Sequence, residues 1–174
     1  SLSAMEKQNE TAESSLKTYI LENTPARIRE RYAHLKEYAQ THTFGALDAD
    51  VVVLDTETTG FSFNHDELIQ IAAARMCNGE IVEWYVTFVN PGKEIPDEVA
   101  HLTNIHEEDV ADAPDPDTAL AGLVDFVGDS LVVAHNVGFD RTFVTKRAAG
   151  ATLKNNIWID SLDLARIALP RLNS

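Results

Sequence analysis

A single cysteine, Cys77, excludes any disulfide within the chain, so stability must come from burial and hydrogen bonding. Long apolar runs are missing as well. The most apolar stretches, such as Val51–Leu54 and Leu131–Ala134, fall far short of the roughly 18 residues that a membrane-spanning helix needs. Positive charge is scarce: 14 Lys and Arg stand against 28 Asp and Glu, a formal net charge of −14. That balance argues against a surface that grips nucleic acid by neutralising phosphates alone. A nucleic-acid ligand then requires either cations held among carboxylates or basic residues gathered on one face, and composition does not choose between them. The N-terminal residues show no basic start, apolar run and small-residue cleavage site of a secretory leader, so the expected compartment is the cytoplasm.

What is present is a globular composition, 44% hydrophobic and 24% charged over 174 residues. A domain of that size buries roughly 70% of its unfolded surface, enough for a core of its own. The pattern divides the chain in two. Residues 1–47 read as a polar segment followed by a helical extension: Thr24 and Pro25 suit a helix start, and Ile28, Tyr32 and Leu35 recur at helical spacing. Its apolar stripe is suited to packing on the next domain, and Arg27, Arg29 and Arg31 leave a partner-docking or DNA-guiding arm as the alternative.

Residues 48–174 alternate strand and helix signals. Val51–Leu54, Glu67–Met76 and Ile81–Val89 read as strands, the last two joined by the hairpin dipeptide Asn78-Gly79. One or two short helices are predicted over Pro96–Val110 and another over Thr118–Val127. Next come a buried strand at Leu131–Ala134, a helix over Phe139–Ala149 ended by Gly150, a short strand at Ile157–Ile159 and a helix over Leu162–Leu169. A hairpin followed by alternating elements implies an α/β fold, a mixed sheet with helices packed on it.

Two clusters carry chemistry. Asp55-Thr56-Glu57-Thr58-Thr59-Gly60 follows the first buried strand, and alternate residues of a strand share a face, so Asp55 and Glu57 converge. Paired carboxylates at that spacing suit hard cations, although acidic pairs at strand ends are also found simply solvated. Thr58, Thr59 and Gly60 offer hydroxyls, amides and a glycine that permits close approach of a substrate to the main chain. The second cluster, His135-Asn136-Val137-Gly138-Phe139-Asp140, leaves the second buried strand and opens a helix. There Asp140 gains from the helix dipole, either as a ligand or as an ordinary capping residue.

Together, Asp-Thr-Glu-Thr-Thr-Gly and His-Asn-x-x-Phe-Asp resemble the first two motifs of the DnaQ-like 3′-to-5′ exonucleases, a resemblance that covers about Val51–Leu172. It implies a ribonuclease H-like mixed sheet and metal-dependent hydrolysis of DNA, with RNA as an alternative, from the 3′ end to nucleoside 5′-monophosphates. Two Mg²⁺ or Mn²⁺ ions would be held by Asp55, Glu57 and Asp140, with Thr58, Thr59, Gly60 and Asn136 bordering the terminal nucleotide. Single-stranded or frayed 3′ ends are the implied partner, together with a DNA polymerase subunit and a role in proofreading or repair. The family's third motif, a histidine and an aspartate on a last helix, is not met before Asn173-Ser174, so the general base is expected to be missing from this sequence. Two alternatives follow: a catalytically weak docking or binding module built on a nuclease fold, and a phosphatase of another fold using Asp55 as nucleophile. Arg141, Lys146, Arg147 and Arg166 are candidates for contact with a nucleic-acid backbone, or else solvated helix faces.

Overall fold

The computed structural model describes residues 51–77 and 80–161. The N-terminal extension, the Asn78-Gly79 turn, the helix expected from Leu162 and Arg166 all lie outside those residues. In chain order the elements are β1 (Val51–Thr58), β2 (Leu68–Cys77), β3 (Glu80–Phe88), α1 (Asp97–Thr103), α2 (Glu107–Val110) and α3 (Pro116–Val127). Then follow β4 (Leu131–Ala134), α4 (Val137–Thr145), a 3₁₀ segment (Ala148–Asn155) and β5 (Trp158–Asp160). The strands form one sheet in the order β3-β2-β1-β4-β5. β1 pairs with β2, and β2 with β3, in antiparallel fashion, whereas β1–β4 and β4–β5 are parallel. This is the mixed, helix-flanked sheet that the hairpin-then-alternation pattern requires. No helix among the described residues is long and apolar enough to cross a membrane.

β1 is the central strand, and its alternation decides what each face does. Val52 and Leu54 point into a core shared with Ile71 and Ala73 of β2, Leu120, Leu123 and Val127 of α3, and Phe143 and Val144 of α4. A smaller cluster of Ile69, Ile95, Ile105 and Val110 secures the stretch that carries α1 and α2. β1 continues past its apolar run to Thr58 because β2 follows it there, so Asp55 and Glu57 lie within the strand itself. α3 starts at Pro116, two residues before the predicted Thr118, since the Asp115 carboxylate accepts the Thr118 N–H at 2.7 Å and Pro116 has no N–H to satisfy. That hydrogen bond holds the Asp115 carboxyl below its ordinary value.

The helix predicted to run from Phe139 to Ala149 is corrected by the structure. α4 stops at Thr145, and a 3₁₀ segment begins at Ala148. Arg147 between them is extended, at φ −95° and ψ 148°, with its guanidinium drawn onto Asp117 at 3.0 Å and Glu67 at 3.1 Å. Gly150 does not end a helix. It packs so close to α4 that a Cβ would collide with the Val144 carbonyl oxygen.

Candidate active site

β1 sets the site. Asp55 and Glu57 share a sheet face with their cross-strand neighbours Ala72 and Gln70 on β2. On the other side β4 ends at Ala134, opposite Leu54, so Asp55–Thr58 run on past its end. The chain leaves β4 through Asn136, whose left-handed φ of 58° is a conformation that asparagine tolerates better than most residues. α4 then starts, its first N–H, that of Val137, donating to Asp160 Oδ2 at 3.3 Å. Asp160 thus braces the start of α4. His135 is exposed and lies 3.2 Å from the Ser161 hydroxyl through Nδ1.

Asp140 is 2% exposed, and its Oδ1 accepts from both the backbone N–H of Thr56, at 2.9 Å, and the Thr56 hydroxyl, at 2.7 Å. Thr56 sits between Asp55 and Glu57, so the second sequence cluster is fastened to the centre of the first. This bond is what separates Asp140 from a simple capping residue, as the start of α4 has no side-chain cap. Glu57, 7% exposed, is likewise buried. Among the described residues no three His, Cys, Asp or Glu side chains are gathered closely enough to hold a metal ion. The structure thus ties Asp140 to the backbone between Asp55 and Glu57.

The loop after β1 is held by charge and aromatic contacts. Thr58 donates its hydroxyl to the Gly60 carbonyl at 2.6 Å. Thr59 is 1% exposed; its hydroxyl donates to Asp66 Oδ1 at 2.9 Å and accepts the Glu67 N–H at 3.1 Å. Gly60 leaves space for Asp66, whose carboxylate occupies the position a Cβ would take. Phe63 packs at 6.0 Å from Phe139 and 5.2 Å from Phe143, two rings of α4 that themselves lie 4.8 Å apart. Phe61 remains 83% exposed at the loop tip.

Among the described residues, the basic side chains offered for backbone contact are engaged internally. Arg141 donates to the Lys154 carbonyl at 3.3 Å, Lys146 to the Phe63 and Asp66 carbonyls, and Arg147 to Glu67 and Asp117. The hydrogen bond that Arg147 donates to Asp117 pushes the guanidinium further toward its charged form, against the cost of its partial burial.

The sequence profile of the Exonuclease family, RNase_T, matches residues 52–174. The chain belongs to this exonuclease family. The DnaQ-like resemblance of its two motifs is thereby upheld. Among similar proteins are the PolC-type DNA polymerases III of Clostridium perfringens and Bacillus cereus. The first is 42% identical over 129 residues, 73% of this chain and 9% of the polymerase. The second is 34% identical over 139 residues, 79% of this chain and 10% of the polymerase. The chain therefore spans 9 to 10% of the length of these relatives. Exonuclease X, solved in complex with 5′ overhanging duplex DNA, superposes with a TM-score of 0.52 at 27% identity, covering 69% of this chain and 64% of that one. Escherichia coli exonuclease I, in complex with an oligonucleotide, gives 0.58 at 20% identity over 68% of this chain and 29% of its own, which shows a shared fold. As an exonuclease domain the chain is a nuclease, and the family generally uses divalent metals.

Sequence reasoning about this exonuclease missed two groups. Thr56 reads as a spacer between two acids, yet its N–H and hydroxyl hold the third. Asp66 reads as a loop residue, yet it organises Thr59, Gly60 and Ser62. The one available signal was its place at the end of a polar loop, directly before a strand.

Proposed function

We propose that this domain is a 3′-to-5′ exonuclease that removes nucleoside 5′-monophosphates from single-stranded or frayed 3′ ends of DNA, in proofreading or repair in the cytoplasm. The observation that carries the reading is the buried Asp140–Thr56 bond, which joins the two motifs on an exonuclease fold at the carboxylate-bearing stretch of the central strand. Polymerases among its relatives and a DNA-bound structural neighbour support DNA as substrate and a DNA polymerase as partner.

The donor set suits a hard divalent cation in kind: Asp55 and Glu57 offer oxygen ligands from one face of a rigid strand, and Asp140 is anchored to the residue between them. Asp55, Glu57 and Asp140 would hold two Mg²⁺ or Mn²⁺ ions, and these supply an activated water and charge neutralisation at the leaving 3′ oxygen. The chain's own contribution is placement. β1 fixes the two acids without rotational freedom of the backbone, α4 fixes the third, and Thr58, Thr59, Gly60 and Asn136 border the terminal nucleotide. Local neutralisation of these acids also reconciles a net charge of −14 with a polyanionic substrate.

The test is release of mononucleotide from single-stranded DNA labelled at its 3′ end, with Mg²⁺ or Mn²⁺, by this chain and by a version extended at its C-terminus. Asp55→Ala is expected to lower the rate by on the order of 10²–10³, the scale for loss of one group that stabilises transition-state charge. Mononucleotide appearing first from a 5′ label would refute the direction. Silence of both forms, with the fold intact, would favour the docking module.

A further inference from the structure

We propose that Asp66, backed by Lys146, is the positioning residue that fixes the Thr59–Phe63 loop against the terminal nucleotide; the substrate in this statement rests on the exonuclease reading above. Both carboxylate oxygens of Asp66 are assigned, Oδ1 to the Thr59 hydroxyl at 2.9 Å and Oδ2 to the Ser62 N–H at 2.8 Å. The Asp66 N–H closes the loop on itself by donating to the Ser62 carbonyl at 2.8 Å. Gly60 completes the fit, since any larger residue would strike this carboxylate. One side chain therefore specifies three consecutive parts of the segment that leaves β1.

Lys146 connects that segment to α4. Its ammonium donates to the Asp66 carbonyl at 2.5 Å and the Phe63 carbonyl at 3.3 Å. It also stands 3.6 Å from Glu67 Oε1 and 4.7 Å from the centroid of the Phe143 ring. Lys93 stands 3.6 Å from Asp66 Oδ1. α4 consequently holds the first motif at two points: Asp140 takes Thr56 within the strand, and Lys146, just past the C-terminal end of the helix, takes the loop beyond it. A helix cannot stretch between its two ends, so the strand segment and the loop are held at one fixed spacing. This arrangement removes the freedom that an irregular loop would otherwise lose on binding substrate, and that loss weakens affinity.

The experiment uses the full chain with Asp66→Ala, Asp66→Asn and Lys146→Met. Amide hydrogen exchange reads the loop, and anisotropy reads binding of a single-stranded oligonucleotide with a 3′ phosphorothioate linkage in Mn²⁺. Asp66→Ala and Lys146→Met are each expected to deprotect the Ser62 and Asp66 amides while Val52 and Leu54 stay protected, and to raise Kd about tenfold or more. Asp66→Asn, which keeps an acceptor for Ser62 and a polar partner for Thr59, should recover most of the affinity. Unchanged loop exchange in both the alanine and methionine variants overturns the brace. Deprotection with unchanged Kd overturns its role toward substrate. Failure of the unaltered chain to bind the oligonucleotide defeats the exonuclease reading instead, and the positioning role with it, while exchange still reports whether the brace exists.

Discussion

Replacing Thr56 by valine removes one hydrogen-bond donor and leaves the shape of the side chain intact. The residue is 4% exposed, and its hydroxyl lies 2.7 Å from an Asp140 carboxylate that is itself 2% exposed, so water cannot readily replace the lost partner. Hydrogen bonds to charged groups contribute about 1.5–3 kcal/mol, and that is the expected loss for Thr56→Val. Thr56→Ser is the control: it keeps the hydroxyl and deletes one methyl group, for about 1 kcal/mol. Urea unfolding followed by circular dichroism measures both. With a slope of roughly 1–3 kcal/mol per molar, the valine variant should unfold about 1 M earlier than the unaltered chain and the serine variant about half as much earlier. The order is the decisive quantity. A valine variant as stable as the serine variant, at an unchanged slope, would refute the claim that Asp140 is held by this hydroxyl.

Three further outcomes follow from the same structure. Burial pushes the Asp66 carboxyl up, but the Ser62 N–H, the Thr59 hydroxyl and Lys93 outweigh it and leave the group below its ordinary 3.8. A folded value below the unfolded one means that Asp66 contributes its stability fully above about pH 4 and loses it as pH falls through the lower folded value, so Asp66→Asn should flatten the acid limb of the pH–stability curve. Phe143 is fully buried, and Phe143→Ala should cost about 3–5 kcal/mol in thermal or chemical unfolding. Asn104 ends α1 at φ 56°, so Asn104→Ala should cost about 1–2 kcal/mol whereas Asn104→Gly should be close to neutral; equal losses would show that the left-handed backbone is not the cause.

Much of the sheet was legible because its strands carry local signals. β-branched runs mark β1 and β4, and the Asn78-Gly79 dipeptide is flanked by antiparallel neighbours whose register meets at Cys77 and Glu80. The shared face of Asp55 and Glu57 follows from strand alternation alone. Asn104, a residue type that tolerates the left-handed region, adopts it at the end of α1. What escaped was non-local. Nothing near Asp140 indicates a partner 84 positions away, because a carboxylate in the first turn of a helix satisfies local rules equally well as a cap. The early end of α4 escaped for the same reason: Arg147 is a good helix former, and only Asp117 and Glu67, distant in sequence, draw it out of the helix.

β4 stops opposite Leu54, two residues short of Thr56, and a side chain from α4 accepts the Thr56 N–H in place of a strand carbonyl. Asp140 is in effect a missing piece of sheet. Any survey that scores variants by how much protein accumulates in cells will rank this position with the hydrophobic core, since an apolar substitution there removes a backbone partner as well as a charge. The part in chemistry proposed for it would show only among variants compared at equal folded concentration.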